Sequence, residues 1–119
     1  MLAGMENHKL VMPEHLNHFG YLFGGNLLKW VDEQAWIAAS LDYPDCHFVT
    51  IALDKVEFRQ GIREGTILLF VADRTREGTT SVQYEVAVFR GGEVDGDAVF
   101  TTRVTLVRID EQGAKIPLT

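Results

Sequence analysis

Residues 17–39 read NHFGYLFGGNLLKWVDEQAWIAA. From Leu27 onward the apolar side chains recur with helical spacing. At 100° per residue, Leu27, Leu28, Val31, Ala35, Ala38 and Ala39 fall within an arc of about 120°. Trp30, Ile37 and Leu41 widen that arc on one side. Gly24, Gly25 and Asn26 precede the pattern, and the Tyr43-Pro44 pair ends it. One helix is therefore expected from about residue 27 to residue 41.

Two acids interrupt this greasy run, and they face different surroundings. Glu33 falls with Lys29 and Ser40 on the polar side, where it can pair with Lys29 four residues earlier. Asp32 lies at the other margin of the apolar arc, between Ala39 and Trp36. A carboxylate partly withdrawn from water there costs free energy unless it is paired or used. The wheel alone leaves two readings open: a side chain that reaches solvent past Ala39, or a working acid. The Gly24-Gly25 pair has two readings as well. The first amides of a helix lack intrahelical partners and carry the positive end of its dipole. Glycines there let a carbonyl oxygen approach closely, but they also serve a plain turn.

The chain changes character after Pro44. FVTIALDKVEF (48–58), TILLFVADRT (66–75), TSVQYEVAVFR (80–90) and DAVFTTRVTLVRI (97–109) are rich in β-branched and aromatic residues. RQGIREG, REG and RGGEVDG between them have turn composition. A short strand is also expected over NHKLVM (7–12), followed by a loop from Pro13. In VQYEVAV, Val82, Tyr84, Val86 and Val88 share one face, as a half-buried strand requires. Four strands in hairpin succession would be antiparallel. One helix against that sheet makes a two-layer α+β domain spanning residues 1–119. ILLFVA is apolar on both faces, and one helix covers only one. The other face is expected to meet another subunit.

A length of 119 residues fits one domain. No apolar run approaches the ~20 residues of a membrane span, and the first residues lack a secretion-signal pattern. The one cysteine, Cys46, excludes an internal disulfide and fits a reducing cytoplasm. A net charge of −6 argues against nucleic acid and anionic membranes as partners. Arg59, Arg63, Arg74 and Arg76 nonetheless crowd into one part of the chain. They could hold a compact anion or keep strand edges soluble. His8, His15, His18 and His47 show no ligand spacing with acids, so no metal is expected.

Several of these features occur together in one known family. Pro13, Asn17, Gly20, Gly24-Gly25 and Asp32-Glu33 resemble the signature of acyl-CoA thioesterases of the hotdog fold, in the acyl-CoA hydrolase branch. VEFRQGIREGTILLFVADRTREGTTSVQYEV resembles that family's second half, and the likeness covers roughly residues 8–108. It implies a long central helix wrapped by a curved antiparallel sheet of about five strands. It also implies homodimers with a continuous sheet, commonly assembled as trimers of dimers (hexamers), with active sites at the dimer interface. The family's catalytic acid maps to Asp32, its assisting Asn to Asn17, and its oxyanion-stabilising amide to Gly25, beside Gly24. The CoA-binding hairpin maps to Arg76, Gly78, Thr79, Thr80 and Ser81, with Arg59 as a further candidate. No cofactor is implied, since CoA is part of the substrate. The tail after Ile109 is short, and no further domain is expected.

Thioester hydrolysis asks for a polarised carbonyl, an attacking water or carboxylate, and release of CoA thiolate. Asp32 could activate water or attack directly, and CoA phosphates suit arginine forks. Two other functions compete. A hotdog 3-hydroxyacyl-thioester dehydratase would use a loop histidine, here His18, with Glu33 or Asp32. NHFGYLFGG lacks the prolines that flank that histidine. A non-catalytic acyl-CoA-binding module would keep the arginines but not need Asn17 and Asp32 together.

Overall fold

The computed structural model of the chain describes residues 4–91 and 96–119. Strand β1 spans Met5–Leu10, helix α1 Gly24–Asp42, β2 His47–Asp54, β3 Ile67–Glu77, β4 Ser81–Arg90 and β5 Phe100–Ile109. A single 3-10 turn, Pro13–His15, lies between β1 and α1. The expected turn at RGGEVDG falls partly on residues 92–95, outside the described residues.

The helix begins at Gly24, earlier than the apolar periodicity indicates, and takes in both glycines. Phe23 is its N-cap and provides no side-chain cap. The far end stops at Tyr43, whose N–H reaches the Ala39 carbonyl at 2.9 Å. Pro44 cannot continue the helix. The buried residues of α1 are Leu27, Trp30, Val31, Ala35, Ala38 and Ala39. This is most of the expected apolar arc, but Leu28 and Ile37 are only partly buried and Leu41 remains 69% exposed.

All five strands form one antiparallel sheet in the order β1-β3-β4-β5-β2. The expected hairpin succession holds for β3 to β4 and β4 to β5. It fails at β2, which pairs with β5 at the opposite side of the sheet from β1. The strand ends at Asp54, and Lys55 turns the chain with a left-handed φ of 59°. Residues 55–66 then cross to β3 without strand structure. The expected strand over 48–58 is thus cut short.

Val82, Tyr84, Val86 and Val88 of β4 are buried, as their alternation indicates. Leu68, Phe70 and Ala72 of β3 and Phe100, Thr102, Val104 and Leu106 of β5 are buried as well. The helix lies over this face and contacts β2, β3, β4 and β5. Of the second β3 face, Leu69 is already buried within the chain, whereas Ile67 is 52% exposed. The two sheet edges differ. β1 exposes Glu6, Asn7, His8 and Lys9, while β2 exposes Val49 and Ile51.

Candidate active site

Asp32 is partly buried on the flank of α1 that faces β2. Its Oδ1 accepts a hydrogen bond of 2.5 Å from the Thr50 hydroxyl. A register shift between Thr50 and Ala52 bulges β2 at that point; bulges of this kind re-aim side chains. One helical turn beyond Asp32, the Trp36 indole N–H donates to the Phe48 carbonyl at 3.2 Å. Helix and strand are therefore joined twice within a few residues, by Asp32–Thr50 and by Trp36–Phe48.

A cleft of about 590 Å³ opens over this stretch of α1. Its lining includes Asp32, Glu33 and Trp36, with Asn7 to Lys9 of β1 opposite. Glu33 does not point away from the site, as the helix wheel suggests, because it borders the same cleft. What separates the two acids is the partner: Thr50 donates to Asp32, and Glu33 is exposed.

Asn17 sits in the loop before α1 and organises it. Its Oδ1 accepts the N–H groups of Phe19 at 2.9 Å and Tyr21 at 3.1 Å. Its own N–H meets the Tyr21 carbonyl at 2.7 Å. With Oδ1 committed to two donors, the Nδ2 amide is the end left for a ligand. Gly20 takes a φ of 86° in this loop, a conformation side chains rarely adopt. Asn26 Nδ2 ties the helix start back to the His15 carbonyl at 2.9 Å.

At the helix start, the Asn26 and Leu27 amides reach the Phe23 carbonyl at 3.0 and 3.3 Å. Gly25, just ahead of them, is exposed. A Cβ on Gly24 would come within 2.9 Å of the Phe58 ring. Glycine there admits a close aromatic neighbour as well as a ligand.

The candidate residues do not gather at one point. Asp32 lies seven residues beyond Gly25, a rise of roughly 10 Å along the axis. Neither Asn17, Gly24 nor Gly25 lines the Asp32 cleft. A carbonyl held at the Gly25 amide would stand about 10 Å along the helix axis from Asp32 of the same chain. His18 packs at a tilt against Phe19 with ring centroids 4.1 Å apart and is also absent from the cleft lining.

The arginines separate too. Arg59 Nη2 lies 3.4 Å from Thr101 Oγ1, next to Phe58 and the helix start. Arg63 packs on the Tyr21 ring and donates to its hydroxyl at 3.0 Å. Arg74 reaches the far end, donating to the Tyr43 hydroxyl at 3.1 Å. Beside it, the Tyr84 hydroxyl donates to Asp42 at 2.6 Å. Burial, then the Asp42 carboxylate, pushes the Tyr84 phenol well above its ordinary pKa. Burial, then a hydrogen bond with Glu77, also raises Tyr43. Arg76 is exposed just beyond this group. The hairpin of Gly78 to Ser81 closes with a 2.8 Å bond from the Gly78 N–H to the Ser81 carbonyl. It is tied to the C-terminal segment by a bond from Leu118 N–H to the Thr79 carbonyl and to β5 by one from Arg108 N–H to the Thr80 carbonyl.

Thr50 is a site group that the sequence reading does not single out. The signal for Thr50 is a polar residue in the apolar run FVTIALD, on the same strand face as buried Phe48.

Residues 19–97 match the family model described as the thioesterase superfamily. The chain is 34% identical over 80 residues to mouse acyl-coenzyme A thioesterase 11, a match covering 67% of this chain and 13% of that protein. The chain thus spans about an eighth of that relative's length. Among solved structures, an acyl-CoA hydrolase from Staphylococcus aureus, in complex with butyryl-CoA, CoA and CoA disulfide, superposes with a TM-score of 0.84. The two are 29% identical, and the match covers 95% of this chain and 70% of that one. A hexameric hotdog fold thioesterase of Campylobacter jejuni superposes with a TM-score of 0.81 at 30% identity, covering 95% of this chain and 88% of that one.

Proposed function

This chain belongs to the thioesterase superfamily and has the hotdog fold, and from that premise we propose that it hydrolyses acyl-CoA thioesters to a carboxylic acid and free CoA. The observation that carries this reading is the Asp32 carboxylate, fixed by the Thr50 hydroxyl at the border of an open cleft. The hydroxyl occupies Oδ1 and leaves Oδ2 to take a proton from water or to attack the carbonyl itself. In either route the thioester carbon gains a bond to oxygen, the carbonyl oxygen becomes negative, and the C–S bond breaks to release CoA thiolate; when the carboxylate itself attacks, a water then cleaves the resulting anhydride, releasing the carboxylic acid and restoring Asp32.

The donors for that oxyanion are the Gly25 amide and Asn17 Nδ2, at the start of a helix whose dipole favours negative charge. Because they stand about 10 Å along α1 from Asp32 of the same chain, the working site combines the helix start of one subunit with Asp32 of another. The sheet edges support this arrangement. β1 guards its edge with Glu6 and Lys9, while β2 offers Val49 and Ile51. Pairing β2 with a partner's β2 makes a continuous sheet and brings each Asp32 toward the other subunit. The hexameric state of the C. jejuni relative supports assembly of such dimers into trimers.

The S. aureus hydrolase has been solved with one Asn, one Asp and one Thr each replaced by Ala. Its Asn and Asp are fifteen residues apart, the separation of Asn17 and Asp32 here. Its Thr follows the Asp by one residue fewer than Thr50 does. The CoA phosphates fall to Arg76 and the hairpin of Gly78, Thr79, Thr80 and Ser81, with Arg59 at the opposite end of a helix roughly 28 Å long. One subunit's Arg59 and hairpin cannot share a single CoA at that separation, so they serve different subunit contacts. No cofactor is invoked, and the single domain is assigned to the cytoplasm. Among the described residues no helix is long and apolar enough to cross a membrane.

The test is a panel of acyl-CoAs from acetyl to palmitoyl, with release of free thiol as the readout. Turnover that disappears in Asp32→Ala is the expected result. Binding of the panel without hydrolysis by the unmutated protein would replace the enzyme with an acyl-CoA-binding module.

A further inference from the structure

Trp36 stands one helical turn from Asp32 and does two things at once. Its N–H is spent on the Phe48 carbonyl at 3.2 Å, two residues before Thr50 on the same strand. The ring itself remains 46% exposed and borders the cleft that Asp32 also borders. An indole nitrogen with a committed partner fixes the ring's orientation, so the exposed part is a rigid wall and not a mobile flap.

Resting on the acyl-CoA hydrolase reading, we infer that Trp36 is both the positioning residue for the Asp32–Thr50 pair and the wall that limits the acyl group to short chains. The positioning role follows from connectivity. Within the chain β2 is the last strand of its sheet and pairs with β5; its other edge is the one proposed to meet a partner's β2. It bulges at Thr50, where ladder hydrogen bonds are locally interrupted. The Trp36–Phe48 bond ties this stretch of β2 to the helix itself, next to the bulge where the ladder to β5 is interrupted. Without it, the Thr50 hydroxyl loses its fixed distance to Asp32. The specificity role follows from volume and place. Asp32 and Trp36 project from the same flank of α1, four residues apart. An acyl chain extending from a carbonyl at Asp32 along that flank meets the indole, which accepts a few methylenes and blocks more.

The two roles separate by substitution. Trp36→Phe keeps most of the wall and removes the N–H donor. It should lower kcat about fivefold for every chain length, the rate equivalent of one neutral hydrogen bond, with KM and chain-length preference unchanged. Trp36→Ala removes both. It should also shift the kcat/KM ratio of palmitoyl-CoA to butyryl-CoA upward by about tenfold or more, within the range a few methylenes command in an apolar pocket. A double-mutant cycle tests the route of the positioning effect. In a Thr50→Ala background, Trp36→Phe should cost nothing further.

Losses that multiply in the cycle would overturn the positioning role. A chain-length preference unmoved in Trp36→Ala, or moved toward shorter chains, would overturn the wall. If the unmutated protein hydrolyses no acyl-CoA, the parent reading fails instead, and the panel shows that before any variant is made.

Discussion

The start of α1 and its middle are two kinds of construction. At the start, the contacts are local to the loop and the first helical turn, with Asn17 Oδ1 and Asn26 Nδ2 each bonded to nearby backbone. The Asn17 loop folds on its own N–H groups, and Gly24 and Gly25 open the helix end without a side-chain cap. In the middle, everything is made by side chains reaching across to β2: Asp32 to Thr50 and Trp36 to Phe48. In the proposed function the first region supplies donors for a developing negative charge and the second a fixed carboxylate. Each is then half of the proposed site, with about 10 Å of helix between the halves of one chain, and for that reason the proposal calls for a second copy.

Substitutions at the two regions should therefore be severe at either end and mild between. Asp32→Ala should lower kcat by ~10² or more, since it removes the base or nucleophile. Its fold and oligomer should persist by circular dichroism and light scattering. Asn17→Asp keeps the Oδ1 acceptor that shapes the loop and removes the Nδ2 donor. It should cost about 10² in kcat, the range of one oxyanion donor. If it behaves as wild type, the helix-start half needs only the Gly25 amide.

The sequence made these halves legible to different degrees. The start of the helix was readable because it is local: Asn17, Gly20, Gly24 and Gly25 lie within nine residues, and the glycines mark the turn into the helix, whereas chemical roles for Asn17 and Gly25 rest on the family resemblance. The β3 and β4 strands and the buried arc of α1 were readable from periodicity for the same reason. The Asp32–Thr50 pair was not, because it depends on where β2 goes. Local pattern suggested that β2 would pair with the next strand, and it pairs instead with β5. That choice is made by burial of the whole sheet face. The arginines were misleading in the opposite sense. Arg63 and Arg76 are close in sequence, but β3 is an 11-residue strand that spans roughly 35 Å and carries them to opposite ends.

Two smaller effects sharpen the comparison. Arg76→Ala lies outside both halves and should raise KM for acyl-CoA about fivefold, the worth of a charge-assisted contact on an exposed side chain. Its kcat should stay near normal, and the salt dependence of KM should flatten. An unchanged KM would move the phosphate contacts elsewhere. Glu33→Ala borders the cleft without a fixing partner and should change kcat/KM by less than about threefold, as exposed helix positions do. A loss matching that of Asp32→Ala would mean that exposure and lack of a Thr50 contact do not distinguish the two acids.

The two-subunit site has one direct test: co-assembly of Asn17→Asp with Asp32→Ala from separately tagged chains. In a mixed dimer, one of the two sites would combine an intact helix start with an intact Asp32, while the other would carry both defects. Random pairing makes half the dimers mixed, so activity should recover to about a quarter of the wild-type value per subunit, although each variant alone is nearly inactive. Activity that stays at the level of the separate variants would contradict a site shared between subunits.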